Sequence, residues 1–342
     1  MALSEKEVLE QSKSAFNQWK DVWEKHAKVN GEIARREATS NQDILFVGAG
    51  RTLLCIAYAP SFEKNIETLK KYHNEGVDIA CVDKCFKALV ENGITPNYVF
   101  LADAKISYKE WLEPVIDKTE DCILISNVTA NIEWTQNWKG LQFFYVNKDN
   151  IETEKIYTKL SGVNEIIPAS SNVGNSVLVY ATQILGYEKY LLLGYDYSWK
   201  DDDNYYAFND SQKRYWMKHA QVIDVNGDMV NTSQNLIFSA RWLTDFHNKI
   251  LTHHKIKMLN CSGQGILQIP RGNLEKELQN AVVRELTEQE KNHIFNARVK
   301  EITINKSGGV EALKEVLSKL KTLEVKVKYI PDEVIQWLNV NI

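Results

Sequence analysis

The sequence predicts an α/β protein with a Rossmann-like, mostly parallel sheet and helical segments at both ends. Short apolar runs alternate with helix-like stretches between residues 43 and 260, and such alternation is typical of parallel strands flanked by helices. Apolar residues make up 44% of the 342 residues, which is enough for a packed core. Two apolar runs end on aspartate, at Asp83 and Asp103, and ligands of open α/β sheets bind where strands end in this way.

The first element is a predicted helix over residues 4–36. Apolar side chains recur there at helical spacing with charged residues between them, at Leu9, Phe16, Trp19, Trp23 and Ala27. A stripe that contains tryptophan is typical of a packing face. We expect it to pack within the chain or against a partner subunit.

The strands and helices of the sheet domain follow in alternation. Strands are predicted at Ile44–Val47, Leu53–Ala57, Ile79–Val82, Tyr98–Leu101, Cys122–Ser126, Phe143–Val146, Ile166–Pro168, Tyr190–Leu193 and Ile256–Leu259. Helices are predicted at Glu63–Tyr72, Val177–Leu185 and Phe238–Thr252, the second of them apolar on every side. The polar stretch 205–235 has no clean period, and we expect it to form a functional lid.

After Pro270 the chain becomes strongly charged, and helices are predicted to about residue 300 and again at Val310–Leu323. The predicted organisation is therefore a helical segment at 1–40, a Rossmann-like domain at 41–272 and a second helical segment at 273–342. The helical ends are where we expect subunits of a homo-oligomer to meet.

Charge and composition exclude several classes of protein. The net charge is -4 and the isoelectric point is near 6.0, so no global basic field is present to bind nucleic acid. No apolar run approaches membrane-spanning length, and the polar, acidic start of the chain is not a signal peptide. The five cysteines form no C-x-x-C pair, which is typical of reduced thiols in a cytoplasmic protein. No H-E-x-x-H pattern occurs, and we expect no metal site.

Residues 79–104 form the most informative segment. It reads as strand, helix and strand, with Gly93 ending the helix and an aspartate just beyond each strand. Asp83 and Asp103 are therefore candidate ligand-binding residues. An alternative for Asp83 is a helix N-cap, which we weigh equally, whereas no helix obviously begins straight after Asp103.

The segment Ser170 to Ser176 opens the predicted buried helix and is a candidate anion or phosphate site, because helix N-termini present free N–H groups. Ser171, Asn172 and Asn175 are its candidate binding residues, and the alternative is simple N-capping by Ser171 or Asn172. Small residues there allow a ligand to approach the backbone closely.

The remaining candidates lie beside other strands. Gly48-Ala49-Gly50 is better explained as a turn than as a phosphate loop. The loop from Ala57 to Phe62 stands where a phosphate-binding loop would, but it lacks glycine. Asp196 follows the strongest strand and could hold a ribose or orient a catalytic group. His219 is a candidate general base, although an ordinary surface histidine is the more frequent case.

These elements, taken together, resemble the motility accessory factor (Maf) and hydroxymethylpterin diphosphokinase (MptE-like) family. The resemblance is carried in order by residues 50–69, 79–104, 171–197, 227–233 and 259–270, which include A-P-S, G-I-T-P-N and G-Y-D-Y. It covers roughly residues 44–272. The last two ranges together form the closing segment, and four matching segments in the correct order make chance a poor explanation.

The resemblance implies a Rossmann-like core similar to that of sialyltransferases, with Pro60 and Ser61 in the nucleotide loop, Asp103 as the strand-end acid, Asn175 at the helix start and Asp196 in the G-x-D motif. Ala57 and Ala59 replace the family's loop glycines, and Asn97 replaces an aspartate.

Three functions follow from this resemblance. The first is a metal-independent glycosyltransferase that moves a sialic-acid-like sugar from a CMP-sugar donor to a hydroxyl of a protein or glycan, with Asp196 and His219 as catalytic residues. The second is an ATP-dependent pterin diphosphokinase in which Asp83 and Asp103 hold Mg²⁺. The third is a non-catalytic binding or structural module that keeps the fold, which the alanines of the nucleotide loop favour.

Overall fold

The main element of the protein is a single parallel sheet flanked by helices. The computed structural model describes residues 5–37, 39–74, 76–148, 150–168, 170–200, 206–209 and 219–294. Its strands and those of a separate hairpin, in chain order, are β1 (Thr52–Ile56), β2 (Val77–Val82), β3 (Tyr98–Leu101), β4 (Ile123–Asn127), β5 (Gln142–Lys148), β6 (Ile166–Pro168), β7 (Lys189–Leu193), β8 (His219–Ile223), β9 (Met229–Ser233) and β10 (Lys257–Asn260). The predicted α/β class, with helices on a mostly parallel sheet, is confirmed.

The strand order is β10-β7-β1-β2-β3-β4-β5-β6, with every pairing parallel. The chain builds outward from β1 to β6 and then returns to place β7 on the other side of β1. Strands β2 to β6 are thus added on one side of β1, and β7 and β10 on the other side. We call this change of side between β1 and β7 the reversal of strand order. In open α/β sheets the crevice at such a reversal is the usual ligand site.

Helices cover the sheet and make the connections. They are α1 (Glu5–Glu37), α2 (Pro60–Lys64), α3 (Ile66–Tyr72), α4 (Asp83–Glu91), α5 (Tyr108–Trp111), α6 (Ile132–Asn137), α7 (Ile151–Ser161), α8 (Val173–Tyr180), α9 (Gln234–Phe246) and α10 (Leu274–Gln279). Short 3-10 helices occupy Asn41–Ile44, Glu113–Asp121 and Ala207–Asn209, and π-helical turns extend α8 and α9. No helix among the described residues is long and apolar enough to span a membrane.

The core lies on both faces of the sheet. Strands β1 and β2 are buried along their whole length, which is why they read as continuous apolar runs rather than alternating ones. The helix α8 is buried from Gly174 to Tyr180 and packs across β1, β2 and β3. The long helix α1 packs on α6, α7 and β5 of its own chain. All five cysteines are buried thiols.

The predicted strand at Ile44–Val47 is wrong. Residues 41–44 form a 3-10 helix and turns follow to Gly50. The N–H groups of Phe46 and Gly48 donate to the carbonyls of Ile184 and Leu185, at 2.8 Å and 2.7 Å. This run is therefore buried against the end of the α8 helix rather than paired with a strand, and apolar composition alone does not separate the two cases.

The region expected to be an irregular lid contains regular structure. Residues 219–233 form the antiparallel hairpin β8–β9, while 201–205 and 210–218 lie outside the described residues. The charged region after Pro270 is only partly helical, because α10 ends at Gln279 and residues 281–287 precede a short helical stretch at 288–294. The predicted helix at Val310–Leu323 lies outside the described residues. The predicted division of the chain into segments 1–40, 41–272 and 273–342 stays a prediction.

A buried ion pair ties the sheet together at the edge where the strands begin. Arg51, just before β1, donates to both carboxylate oxygens of Asp78 in β2, at 2.6 Å each. The hydroxyl of Tyr187 donates to the same carboxylate at 2.6 Å. The pair is nearly inaccessible to solvent, and the hydrogen bonds that Arg51 donates to Asp78 raise the pKa of Arg51.

Candidate functional site

The loops after β1, β7 and β10 meet at Asp196, at the reversal of strand order. Asp196 is fully buried. Its carboxylate accepts hydrogen bonds from the N–H of Ser61 at 2.9 Å, from the Ser61 hydroxyl and from the side chain of Gln264 at 2.7 Å. Burial raises the pKa of Asp196 to about 6, against the opposing effect of these donors. Two residues predicted separately as site residues, Ser61 and Asp196, are therefore in direct contact.

Glycine allows these loops to approach one another. A Cβ added to Gly194 would lie 1.8 Å from the carbonyl oxygen of Ala57, and one added to Gly265 would lie 2.2 Å from the carbonyl oxygen of Asp196. Both glycines have a positive φ, +76° for Gly194 and +95° for Gly265, which other residues rarely adopt. Ser61 also accepts a hydrogen bond from the N–H of Gly194, at 3.0 Å. The backbones after β1 and β7 are thus locked together.

The start of α2 has no spare N–H group at its first three residues. Pro60 has no N–H, the N–H of Ser61 donates to Asp196, and that of Phe62 donates to the carbonyl of Ala59 at 2.9 Å. Helix starts bind phosphate through free N–H groups. In this arrangement the loop from Ala57 to Ser61 positions neighbouring groups, and a phosphate contact by Ser61 would require it to give up Asp196.

The polar side chains at the start of α8 make hydrogen bonds within the chain. Asn172 is the N-cap, and its side chain accepts from the N–H of Asn175 at 2.9 Å. The side chain of Asn175 donates to the Ser171 hydroxyl and to the carbonyl of Ser239, and it accepts from the Tyr197 hydroxyl at 2.7 Å. The capping alternative thus describes Asn172, while Asn175 joins α8 to α9 and to the end of β7.

Asp83 and Asp103 follow the ends of the paired strands β2 and β3. Asp83 is the first residue of α4 rather than its N-cap, and it accepts from the N–H of Lys84 at 2.8 Å. Burial, with a smaller contribution from the charge of Asp103, raises the pKa of Asp83 to about 7. Asp103 is exposed and accepts from the N–H of Lys105 at 2.7 Å. The site therefore combines a buried carboxyl group with an exposed one.

The buried carboxyl of Asp83 should make stability depend on pH. The folded pKa of about 7 lies above the ordinary 3.8, so between these values the folded chain holds a proton that the unfolded chain has lost. The resulting stabilisation is complete below about pH 4 and is lost as the pH rises through 7, by about 1.4 kcal/mol per pH unit. The free energy of unfolding of the native chain minus that of Asp83→Asn should therefore fall over this range in urea titrations. Parallel pH profiles would contradict the assignment.

His219, the candidate base, begins β8 and pairs with Ser233 across the hairpin. Ser233 is the N-cap of α9, and Ser239 of that helix contacts Ser171 and Asn175. The backbone at His219 thus lies at the end of the hairpin nearest the start of α9. Its catalytic role stays a prediction.

A known protein family matches part of this chain. The family model for the 6-hydroxymethylpterin diphosphokinase MptE-like proteins matches residues 30–202, just over half of the 342 residues. This chain belongs to the MptE-like family. The match begins near the end of α1 and continues past β7 and Asp196. It therefore contains the reversal of strand order.

A solved structure shares the fold beyond the family match. The Maf glycosyltransferase of Magnetospirillum magneticum AMB-1 superposes with a TM-score of 0.51 at 15% identity, over 80% of this chain and 42% of that protein. The likeness therefore concerns the fold, and this chain spans less than half the length of that glycosyltransferase. No curated protein matches this chain significantly.

Several residues of the candidate site were not predicted from the sequence. Gln264 reaches Asp196 from the loop after β10 and accepts from Lys64 at 2.6 Å; its position between Gly263 and Gly265 was the available signal. Lys84 follows Asp83, and its ammonium lies among aromatic rings. These rings are Tyr206 at 4.4 Å, Trp111 at 4.8 Å and Tyr58 at 5.9 Å from the nitrogen to the ring centroids.

Proposed function

We propose that this protein is a glycosyltransferase that transfers a sugar from a nucleotide donor to a hydroxyl acceptor at the carboxyl edge of the sheet. The expected donor is a CMP-linked, sialic-acid-like sugar. The observation that carries the proposal is the reversal of strand order between β1 and β7, where Asp196 joins three loops. Membership of the MptE-like family and the fold shared with a Maf glycosyltransferase support it.

The contacts within the site define two groups of residues. Five predicted site residues are buried, so they would shape the edge rather than meet the donor in this conformation: Pro60, Ser61, Asp83, Asn175 and Asp196. Ser171 and Asp103 are exposed and Asn172 is half-buried. These three are the groups that we expect to contact a bound nucleotide.

The transfer would break the bond between the anomeric carbon of the sugar and the phosphate oxygen of CMP, which leaves with the bonding electrons. The acceptor oxygen would form the new bond to that carbon and give up its proton. We assign that proton to His219, since a base of near-neutral pKa suits a hydroxyl acceptor. Protein or glycan hydroxyls are the expected acceptors.

Calorimetric titration with CMP tests the proposal. CMP should bind, and at a hundredfold excess over its Kd it should raise the free energy of unfolding by about 2.7 kcal/mol. Release of CMP from a CMP-sugar should then depend on an added acceptor. Absence of binding by any cytidine nucleotide would refute this function and favour a non-catalytic module.

The family match favours a second candidate, a pterin diphosphokinase. Asp83 and Asp103 follow the paired strands β2 and β3 and would hold Mg²⁺ with ATP, since Mg²⁺ binds through carboxylates and phosphates together. Magnesium-dependent formation of AMP from ATP and a hydroxymethylpterin would support this candidate. CMP binding without such a reaction would support the glycosyltransferase instead.

A further inference from the structure

We propose that the Lys64 ammonium is the cationic contact for the phosphate of the bound nucleotide and that Gln264 holds it in position. This inference rests on the proposed function, because it concerns how the same edge of the sheet would bind an anionic donor. The juxtaposition that carries it is an exposed ammonium joined, through one neutral amide, to the buried carboxylate of Asp196.

Lys64 and Gln264 come from opposite sides of the end of β7. Lys64 is the last residue of α2, which follows β1, whereas Gln264 lies in the loop after β10. In the sheet, β7 lies between β1 and β10. The Lys64 ammonium donates to the side-chain oxygen of Gln264 at 2.6 Å. The two side chains therefore meet at the reversal of strand order, where open α/β sheets bind their ligands.

Gln264 fixes the position of the Lys64 charge without neutralising it. Its amide nitrogen donates to the carboxylate of Asp196 at 2.7 Å, while its amide oxygen accepts from Lys64. Asp196 is fully buried, so one end of the amide is anchored in the core. A lysine ammonium has three donors, and the bond to Gln264 uses one of them.

The first three residues of α2 offer no backbone donor to a phosphate. Pro60 has no N–H, and the N–H groups of Ser61 and Phe62 are bonded to Asp196 and Ala59. A phosphate beside this loop therefore requires a donor from a side chain. Lys64 lies at the other end of the same short helix and is exposed, so a ligand can reach it from solvent.

The acidic groups beside Lys64 make a cation necessary for binding an anion there. Asp196 is buried, and the positive charge of Lys64 opposes the effect of burial on the Asp196 pKa. Glu63 is exposed, and its carboxylate accepts from the N–H of Phe208 at 2.7 Å. Both carboxylates would repel a phosphate. The Lys64 ammonium supplies the opposite charge, and hydrogen bonds between ionised groups are the strong ones.

The test compares Lys64→Met with Lys64→Arg by calorimetric titration with CMP, cytidine and pyrophosphate. Lys64→Met should weaken the binding of CMP and pyrophosphate about tenfold or more, as expected for loss of one charge-assisted hydrogen bond, and should leave cytidine binding unchanged. Lys64→Arg keeps the charge and should retain most of the affinity for CMP. Because Lys64 is exposed, Lys64→Met should unfold at the same urea concentration as the native chain.

Lys70→Met is the matched control. Lys70 is an exposed lysine on the next helix, α3, and pairs with Glu67 at 2.9 Å. This variant should bind CMP as the native chain does. Native CMP affinity in Lys64→Met, or equal weakening of CMP and cytidine, would overturn the role of Lys64 while leaving the proposed function intact. Failure of the native chain to bind any cytidine nucleotide would overturn both.

Discussion

Replacing Asp78 with alanine is expected to lower the free energy of unfolding by about 3–5 kcal/mol, the usual consequence of removing one partner from a buried ion pair. The change would leave the Arg51 guanidinium buried without the carboxylate that accepts its two 2.6 Å hydrogen bonds. Tyr187 would lose its acceptor as well. Urea unfolding measured at neutral pH gives the free energy directly.

Two further variants make this result specific. Asp117 and Lys139 form a pair at 2.5 Å, but Asp117 is 85% exposed, so Asp117→Ala should have little or no effect. Combining Arg51→Ala with Asp78→Ala should cost less than the sum of the single changes, because no unpaired charge remains. Additive losses would show that the pair does not act as a unit.

Replacing Asp196 with alanine is expected to destabilise the fold by about 3 kcal/mol and to weaken nucleotide binding by more than about tenfold. Three donors would lose their acceptor, the buried N–H and hydroxyl of Ser61 and the amide of the half-buried Gln264. An unsatisfied buried donor costs about 1–3 kcal/mol, and relief of a buried charge offsets part of the sum. The loops after β1, β7 and β10 would then separate and the binding edge would lose its shape.

The asparagine variant separates geometry from charge. Asp196→Asn keeps one carbonyl oxygen, which can still accept from the two N–H donors, so the loss of stability should be about 1 kcal/mol. Urea unfolding and calorimetric titration with CMP should be measured for both variants. Native stability in Asp196→Ala would contradict a positioning role for this carboxylate.

Much of the fold could be predicted from the sequence because parallel strands buried on both faces are continuously apolar. The runs from Leu53, Tyr98 and Tyr190 became β1, β3 and β7, and helical spacing identified α1. The run Ile44–Val47 was wrongly predicted to be a strand, because a turn packed against Ile184 and Leu185 is as apolar as a strand.

The candidate site was predictable only as a set of strand ends. Asp83, Asp103 and Asp196 each follow an apolar run, and that local pattern places them at one edge of a parallel sheet. Their environments are not local properties. Asp196 meets Ser61 across 135 residues of sequence, and Lys84 meets Tyr206 through the folding of distant segments.

The sequence by itself determined the α/β class, the family resemblance and the edge at which the polar residues gather, because each depends on periodicity or on short motifs. Only the tertiary structure decided that strand order reverses between β1 and β7, that Ser61 and Asn175 are bonded within the chain, and that Lys84 stands among aromatic rings. Those features depend on contacts between residues far apart in the chain. The acids that mark the edge in the sequence thus divide into Asp196, which holds the loops together, and Asp83 and Asp103, which follow the paired strands β2 and β3.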